Sequence, residues 1–289
     1  MTKLTYELSL ELLNSRLETL AIVKSVLRNA GLNDQHIVEL KEFDKNFLLL
    51  YFNQKALAQL FLLKLRRLKL KQVILRLKSI KQSEWENKWR NEFKPFSLTP
   101  TFKVIPMEFK NKHRTRQKPL YLGTGLAFGT GLHATTRFMA EFIESVQGRY
   151  ENFLDIGTGT GILSMIGFQC GAKDVDAIDV RRDAVAAAKQ NFKENNCRIR
   201  FLRAINLSKF HPPGRYDFVA ANLFTQDLID FSSKLFSLVR EGKYLAVSGI
   251  SLHNYARFKA VYRKFALRCL KVEKKEGWVG ILYQKEAHR

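Results

Sequence analysis

The sequence predicts an α/β protein in which a mostly parallel sheet follows a smaller α+β domain. Three observations support this fold class. From about residue 119 to the end, apolar strand-like segments alternate with helix-like segments. The glycine-rich turn GTGTG directly follows the apolar segment NFLDI and precedes another apolar run, as in a strand–loop–helix unit. The first 82 residues instead interleave four strand patterns with two helix patterns.

The front segment, residues 1–82, predicts the element order β-α-β-β-α-β. LTYELSL alternates polar and apolar residues, and residues 12–30 carry leucines at helical spacing before Gly31. HIVEL and NFLLLYF predict two strands joined by a turn, QKALAQLFLLKLRRL a second helix, and KQVILRLKSI a final strand. This order is that of a small ferredoxin-like domain.

Residues 83–118 are interpreted as a linker helix and a basic connecting segment. SEWENKWRNEF places Trp85, Trp89 and Phe93 four residues apart, which predicts a short amphipathic helix whose aromatic stripe packs on one domain. KNKHRTRQK predicts a solvated loop. The second domain is therefore expected to span residues 119–289.

The second domain is predicted from alternating segments of helical and strand-like pattern. Helices are expected at TTRFMAEFIESV, ILSMIGFQCG, RDAVAAAKQNFKENN, TQDLIDFSSKLFSLV and residues 253–264. Strands are expected at ENFLDIG, DVDAIDV, RIRFLRAI, YDFVAANLF and KYLAVSGI, with a terminal hairpin in ALRCLKVEKKEGWVGILYQK. An open α/β sheet of this kind binds ligands at the carboxyl ends of its strands.

Composition limits the classes of function. No apolar run approaches the ~20 residues of a membrane span, and the N-terminus lacks the apolar block of a signal peptide. The three cysteines fit neither a metal spacing nor a disulfide framework, so a cytoplasmic setting is expected. The net charge is +22, which predicts either association with RNA or the ribosome, or simply a basic soluble surface.

The segment LDIGTGTGIL carries the strongest chemical signal. Its G-x-G-x-G loop lets a ligand approach the backbone at a helix N-terminus, and Asp179 ends the next strand, 22 residues after Gly157. An acid there is placed to accept hydrogen bonds from the hydroxyls of a ribose. Asp155 either bonds amides of the loop or reaches the ligand's amine through water. Asn222, at the end of DFVAAN, is either a turn residue or a polar group beside the reacting centre, with Phe224 as a wall.

Together these features resemble the Rossmann-like, class I methyltransferases that use S-adenosylmethionine. GLAFGTGLHATT before a helix, followed by DIGTGTGIL, AIDV, ANLF and LAVSGI, is similar to the bacterial ribosomal protein L11 methyltransferase (PrmA) family. EWENKWRNEFKP also resembles that family's inter-domain linker. The similarity covers about residues 84–289. GLHATT and NLF stand where the family usually has GTHPTT and NIL.

The resemblance implies that S-adenosylmethionine is contacted by Thr136, Gly157, Asp179 and Asn222. It also implies transfer of methyl groups to lysine and N-terminal amines of ribosomal protein L11, which the small domain would grip. Asn222 is the candidate catalytic residue, as the group that orients the amine. No metal is expected, and the chain is expected to be a monomer.

Other functions stay open on the sequence alone. The same chemistry could act on a lysine of another protein or on RNA, and the charge favours RNA. A non-catalytic ribosome-binding module with a relict cofactor fold is a different class, and the complete set of four cofactor residues argues against it. A nicotinamide oxidoreductase is disfavoured because Ile162 stands where G-x-G-x-x-G requires glycine.

The segment GTGLAFGTGLHATT, residues 123–136, is interpreted as a glycine-hinged cover over the methionine end of the cofactor. Phe128 lies near its middle. His133 is a candidate base by position, but a turn histidine bonded to the backbone explains it equally well. It is therefore given no catalytic role.

Overall fold

The computed structural model describes residues 4–12, 37–42, 45–52, 54–67, 73–81, 93–123, 131–212 and 214–287. The chain divides into two compact units, residues 1–92 and residues 93–289, and each is described by itself. Three predicted features lie wholly or mostly outside the described residues: the helix at 12–30, the aromatic helix at 83–93, and the centre of the glycine-hinged cover at 124–130.

The first unit contains an antiparallel four-stranded sheet and a helix. Its elements are β1 (Leu4–Leu12), β2 (Ile37–Glu42), β3 (Lys45–Phe52), α1 (Lys55–Arg67) and β4 (Val73–Lys81). The sheet order β2-β3-β1-β4 places the first and third strands at the centre, as in the predicted ferredoxin-like order. Ala58, Phe61 and Leu65 recur at helical spacing, so one face of α1 packs on the leucines of β1 and β3.

The second unit begins with a small sheet and continues as an α/β unit. The small sheet contains β5 (Phe96–Ser97), β6 (Phe102–Pro106) and β7 (Lys118–Leu122). The following elements are α2 (Ala134–Ser145), β8 (Asn152–Ile156), α3 (Ile162–Gln169), β9 (Asp174–Asp179), α4 (Arg182–Glu194), β10 (Phe201–Ala204), β11 (Tyr216–Asn222), α5 (Thr225–Asp230), α6 (Ser232–Leu238), β12 (Val239–Ser251), α7 (Tyr255–Tyr262), β13 (Leu267–Lys275) and β14 (Trp278–Lys285).

The large sheet has seven strands in the order β10-β9-β8-β11-β12-β14-β13. The first five strands in this order are parallel, whereas β14 and β13 run antiparallel to their neighbours. The predicted α/β class with a mostly parallel sheet is therefore confirmed. Because β9, β8 and β11 are adjacent and parallel, the residues that end these three strands lie at one edge of the sheet.

Close packing of aromatic residues fixes the centre of the large sheet. Phe153 of β8 and Phe218 of β11 stack with ring centroids 5.1 Å apart, and both are fully buried. Gly167 of α3 lies against the Phe153 ring, where an added Cβ would come within 3.0 Å. This glycine therefore lets α3 approach the strand that carries the glycine-rich turn.

Two features differ from the sequence prediction. The sheet formed by β5, β6 and β7 was not predicted, because its strands have only two to five residues, too few for a periodic pattern. The single helix expected at 225–239 is two helices, since Phe231 leaves the helical region at φ −94° and ψ 10°. The domain boundaries at 82 and 118 stay predictions. No helix in the described ranges is long and apolar enough to cross a membrane.

Candidate functional site

The carboxyl edge of the parallel strands carries three of the four predicted cofactor residues. Gly157 follows β8, Asp179 ends β9 and Asn222 ends β11. Thr136, the fourth, lies in the first turn of α2. Hydrogen bonds join Asp179 to the glycine turn and Asn222 to Thr135, the neighbour of Thr136.

The glycine-rich turn closes tightly against the neighbouring strand. The amides of Gly157 and Thr158 both donate to the carbonyl oxygen of Ile178, at 2.9 and 3.0 Å. Gly157, Gly159 and Gly161 all have positive φ, which only glycine adopts without strain. A Cβ on Gly161 would come within 2.4 Å of the Phe192 ring, so the turn also needs glycine for its packing against α4.

Asp155 is a fully buried carboxylate beneath this turn. Its Oδ2 accepts hydrogen bonds from the Ser164 amide, the Ser164 hydroxyl and the Thr158 hydroxyl, at 3.1, 2.7 and 2.8 Å. Burial raises the pKa of Asp155 to about 6, although these donors oppose the shift; the nearby Asp179 raises it further. Its Oδ1 is buried without a hydrogen-bond partner among the described residues. Asp155 thus bonds to the loop and to the first turn of α3, but its loop donor is the Thr158 hydroxyl, and the amide donor is Ser164 of α3 where the sequence predicted a loop amide.

Asp179 holds the middle of the glycine turn. Its Oδ2 accepts the amide of Gly159 at 3.0 Å, and its Oδ1 accepts the amide of Arg181 at 2.9 Å. Each carboxylate oxygen has a second lone pair. The side chain is therefore oriented by the backbone and retains the capacity to accept hydrogen bonds from a ligand. The first turn of α4 has its own acid, Asp183, whose Oδ1 accepts the amide of Ala184 at 3.0 Å.

Asn222 is the start of a chain of hydrogen bonds that reaches α2. Its Nδ2 donates to the Thr135 hydroxyl at 3.3 Å, and that hydroxyl lies 2.8 Å from His133 Nδ1. The Thr135 amide also donates to His133 Nδ1, at 3.4 Å, so this nitrogen is an acceptor and His133 caps the helix. The histidine is thus bonded to the backbone as a turn residue, and its ring meets the edge of Trp278 at 5.2 Å.

The Asn222 carboxamide keeps capacity for a ligand. Its bond to Thr135 uses one of the two N–H groups on Nδ2 and leaves the amide oxygen as an acceptor. Of the described residues, none donates a hydrogen bond to that oxygen. Asn222 is partly exposed.

Leu223 connects the Asn222 end of the site to the glycine turn. A Cβ on Gly157 would come within 2.5 Å of Leu223 Cδ2, so that side chain lies directly over the first glycine. The Leu223 amide donates to the Ser248 carbonyl oxygen at 3.1 Å. A Cβ on Gly249 would lie 2.0 Å from the Leu223 carbonyl oxygen, so β12 needs glycine where this loop crosses it.

Thr136 is buried at the start of α2, with 1% of its surface exposed. Its hydroxyl is one of three buried side-chain polar atoms that find no hydrogen-bond partner among the described residues. Buried hydroxyls are normally paired. Two of those three atoms, Thr136 Oγ1 and Asp155 Oδ1, belong to this site.

The structure adds two residues that the sequence reasoning did not select. Asn191 accepts the Gly123 amide through Oδ1 and donates to the Thr160 carbonyl through Nδ2, at 2.9 and 2.8 Å. Asn195, one turn later, accepts from the amide of Tyr121 and donates to its carbonyl, at 2.8 and 2.7 Å. Asn191 of α4 therefore ties the start of the predicted cover to the glycine turn, and Asn195, directly after α4, ties the end of that helix to β7.

A sequence signal for these asparagines exists in the pattern of α4. Asn191 continues the buried stripe of Ala184 and Ala188. A buried asparagine side chain on an apolar stripe must form hydrogen bonds with other segments. Gly131, at the far end of the cover, has φ +90°, and an added Cβ would meet Ile162 Cδ1 at 3.2 Å. The cover itself stays a prediction. In the described ranges, no group of three or more His, Cys, Asp or Glu could hold a metal ion.

Comparison with known proteins gives consistent matches. A family described as "Ribosomal protein L11 methyltransferase (PrmA)" matches residues 6–286. A ribosomal protein L11 methyltransferase of Staphylococcus aureus (strain MRSA252) is 31% identical over 209 residues, which is 71% of this chain and 66% of that protein. The chain thus spans just under two thirds of that relative. The enzyme of strain bovine RF122 / ET3-1 is also 31% identical, over 72% of this chain and 67% of its own length.

Among solved structures, a ribosomal protein L11 methylase from Lactobacillus delbrueckii subsp. bulgaricus superposes with a TM-score of 0.62. Its sequence identity is 24%, and the match covers 68% of this chain and 100% of that one. At this identity the likeness supports the fold.

Proposed function

Because the chain belongs to the ribosomal protein L11 methyltransferase (PrmA) family, we propose that it transfers methyl groups from S-adenosylmethionine to ribosomal protein L11. The observation that carries this proposal is the joined arrangement of the glycine turn, Asp179 and Asn222 at one edge of the parallel sheet. The acceptors proposed within L11 are lysine side chains and the N-terminal amine.

The residues present fit the proposed cofactor. Gly157 supplies the positive φ that the turn requires beneath Leu223, and Asp179 is held with lone pairs available for the hydroxyls of a ribose. The unpaired Thr136 hydroxyl offers a further polar contact. We assign Thr136, Gly157, Asp179 and Asn222 to cofactor binding. When bound, S-adenosylmethionine supplies a methyl group already activated by its sulfonium.

The protein's contribution to transfer is alignment of the acceptor amine. Two reactants held in the attack geometry gain up to several orders of magnitude in rate without any acid–base chemistry. We assign the alignment to Asn222, whose amide oxygen can accept a hydrogen bond from a neutral amine while Thr135 holds its nitrogen. His133 is a positioning residue, because its Nδ1 orients the Thr135 hydroxyl.

The acceptor amine must lose its proton before it reacts. A lysine amine has a pKa of about 10.4 and an α-amine of about 7.7–8.0, so both are largely protonated at neutral pH. Transfer from water into an apolar environment lowers either value. The net charge of +22 also lowers the pKa of an amine near the protein surface.

The small first unit is proposed to bind the substrate, with residues 83–118 as the connection between domains. A ribosomal substrate implies a cytoplasmic location. The monomeric state stays a prediction, which size-exclusion chromatography with light scattering measures directly.

The test of the function is transfer of labelled methyl groups. Purified protein is incubated with labelled S-adenosylmethionine and, separately, with purified L11, total ribosomal proteins and ribosomal RNA. Label in L11, with mass increments at lysines or at the N-terminus, is the expected result. Label in RNA alone would favour an RNA methyltransferase, and cofactor binding without transfer to any component would favour a non-catalytic module.

Asn222→Ala tests the assigned alignment. We expect kcat to fall by about 10²-fold, since misplacement of a reacting group by about 1 Å has that effect. Thr135→Val is the matched second variant, because it removes the hydroxyl that holds Asn222 and leaves the carboxamide in place. We expect it to lower kcat less than Asn222→Ala does. Near-normal turnover of Asn222→Ala would remove Asn222 from the mechanism.

A further inference from the structure

A dense band of positive charge runs along α7 and β13, outside the cofactor site. Residues 252–275 contain eight Lys and Arg and a single acid, Glu273. This segment has a net charge of +7, whereas the whole chain of 289 residues carries +22. β13 is the last strand of the seven-stranded sheet, so the band lies along a sheet edge.

Most of these cations are exposed and not neutralised. Lys271 pairs with Glu273 at 2.9 Å, and Lys275 lies 3.6 Å from Glu276. The other six form no ion pair with any described residue, and all six are exposed. We call these six the basic edge: Arg257, Lys259, Arg263, Lys264, Arg268 and Lys274.

Two lysines of the basic edge converge on one aromatic ring. Lys259 of α7 and Lys274 of β13 place their Nζ atoms 4.7 and 5.1 Å from the centroid of the Tyr255 ring. Two ammonium groups held near one another repel, and an anion placed beside both removes that repulsion. Tyr255 packs against the hydrophobic core, so its ring holds these two exposed ammonium groups at one place on the surface.

The segment that carries the basic edge begins next to the candidate site. The Ser251 amide, at the end of β12, donates to the Thr225 hydroxyl at 2.9 Å, three residues after Asn222. The Leu252 amide donates to the Gly277 carbonyl at 2.8 Å, and the following residue, Trp278, meets the His133 ring. A polyanion bound along α7 and β13 would therefore reach the same end of the sheet as Asn222.

We propose that the basic edge binds the phosphate backbone of RNA and so holds an RNA-associated substrate beside the site. The choice of RNA rests on the proposed function, because a ribosomal protein lies against ribosomal RNA in the ribosome. The exposed apolar residues of the band, Leu252, Leu270 and Val272, make an anionic membrane surface the competing partner.

The experiment measures binding of a fluorescein-labelled RNA hairpin of about 20 nucleotides by anisotropy over a range of KCl concentrations. The edge variant carries Lys259→Ala, Arg263→Ala and Lys274→Ala. The matched control carries Lys112→Ala, Arg114→Ala and Arg116→Ala, which removes the same charge from an equally exposed loop before β7.

The edge variant is expected to bind RNA at least about tenfold more weakly at about 0.1 M salt. Its log–log salt slope should fall by about 2, since each phosphate contact contributes roughly 0.7 to 0.9. The control is expected to stay within about threefold of the native protein.

Three results would overturn the inference: equal losses in the edge variant and the control, no salt-dependent binding of RNA by the native protein, or binding to phosphatidylserine vesicles without binding to RNA. Methylation of RNA-free L11 is measured in parallel and should be unchanged in both variants. Failure of that reaction in the native protein would count against the proposed methyl transfer and leave the RNA result interpretable.

Discussion

Asp155 offers a prediction that can be worked from the structure in numbers. Its carboxyl is fully buried, and burial raises its pKa from 3.8 to about 6. The folded protein therefore keeps this proton over a pH range in which the unfolded chain has lost it. Because the folded state then binds more protons than the unfolded state, stability falls as pH rises between the two values.

The magnitude follows from the shift. A difference of about two pKa units corresponds to about 3 kcal/mol at 1.36 kcal/mol per unit. Asp155→Asn removes the titration and keeps the oxygen that accepts hydrogen bonds from Thr158 and Ser164. In this variant the neutral NH2 group takes the position of Oδ1. Oδ1 has no hydrogen-bond partner among the described residues of the native protein. We therefore expect the variant to match the native protein near pH 4 and to exceed its stability by up to about 3 kcal/mol near pH 7.

Urea unfolding at several pH values between about 4 and about 7 measures this difference. Asp217→Asn is the contrasting variant. Asp217 is equally buried, but its oxygens accept from Arg240 at 2.6 Å and from the amides of Glu151 and Asn152. Its replacement should destabilise the protein at pH 7, because Arg240 loses its charged partner. A stability difference for Asp155→Asn that does not change with pH, or a loss of stability at pH 7, would refute the reasoning.

The remaining predictions concern the glycine turn and its supports. Gly157→Ala adds about 1–2 kcal/mol of backbone strain and a contact with Leu223, and should weaken S-adenosylmethionine binding by at least about tenfold in calorimetry. Gly148 has a similar φ of +75° and open space around it, so it is the control. Gly148→Ala should lower the melting temperature through backbone strain and leave the affinity for S-adenosylmethionine unchanged. Asn191→Ala removes a hydrogen bond from the Gly123 amide and another from the Thr160 carbonyl, and should lower both stability, by about 2 kcal/mol, and cofactor affinity. Asn195→Ala should lower stability alone, and an equal loss of affinity in both asparagine variants would contradict the link between cover and turn.

Much of the fold was accessible from the sequence because its signals are local. The turn GTGTG after an apolar strand, the acid that ends the next strand and the alternation of elements each depend on neighbours in the chain. The strands β5 to β7 were missed because two to five residues are too few for a periodic pattern. The break at Phe231 was missed because apolar spacing continues through it.

The site was predicted in part for the same reason. Thr136, Gly157, Asp179 and Asn222 were selected by their place in motifs, and their roles in binding stay proposals. Contacts between distant segments were not accessible. The hydrogen bond from Asn222 to Thr135 spans 87 positions, and the one from Asn191 to Gly123 spans 68.

The sequence by itself determined the fold class, the strand that carries the glycine turn and the residue types available for binding, since backbone conformation and hydrophobic period are local properties. Only the tertiary structure decided that the Asn222 amide nitrogen bonds to Thr135, that His133 caps a helix, and that Asp155 lies buried with a raised pKa. Hydrogen-bond partners and desolvation depend on which segments meet in space, and the sheet order that brings those segments together is a property of the folded chain.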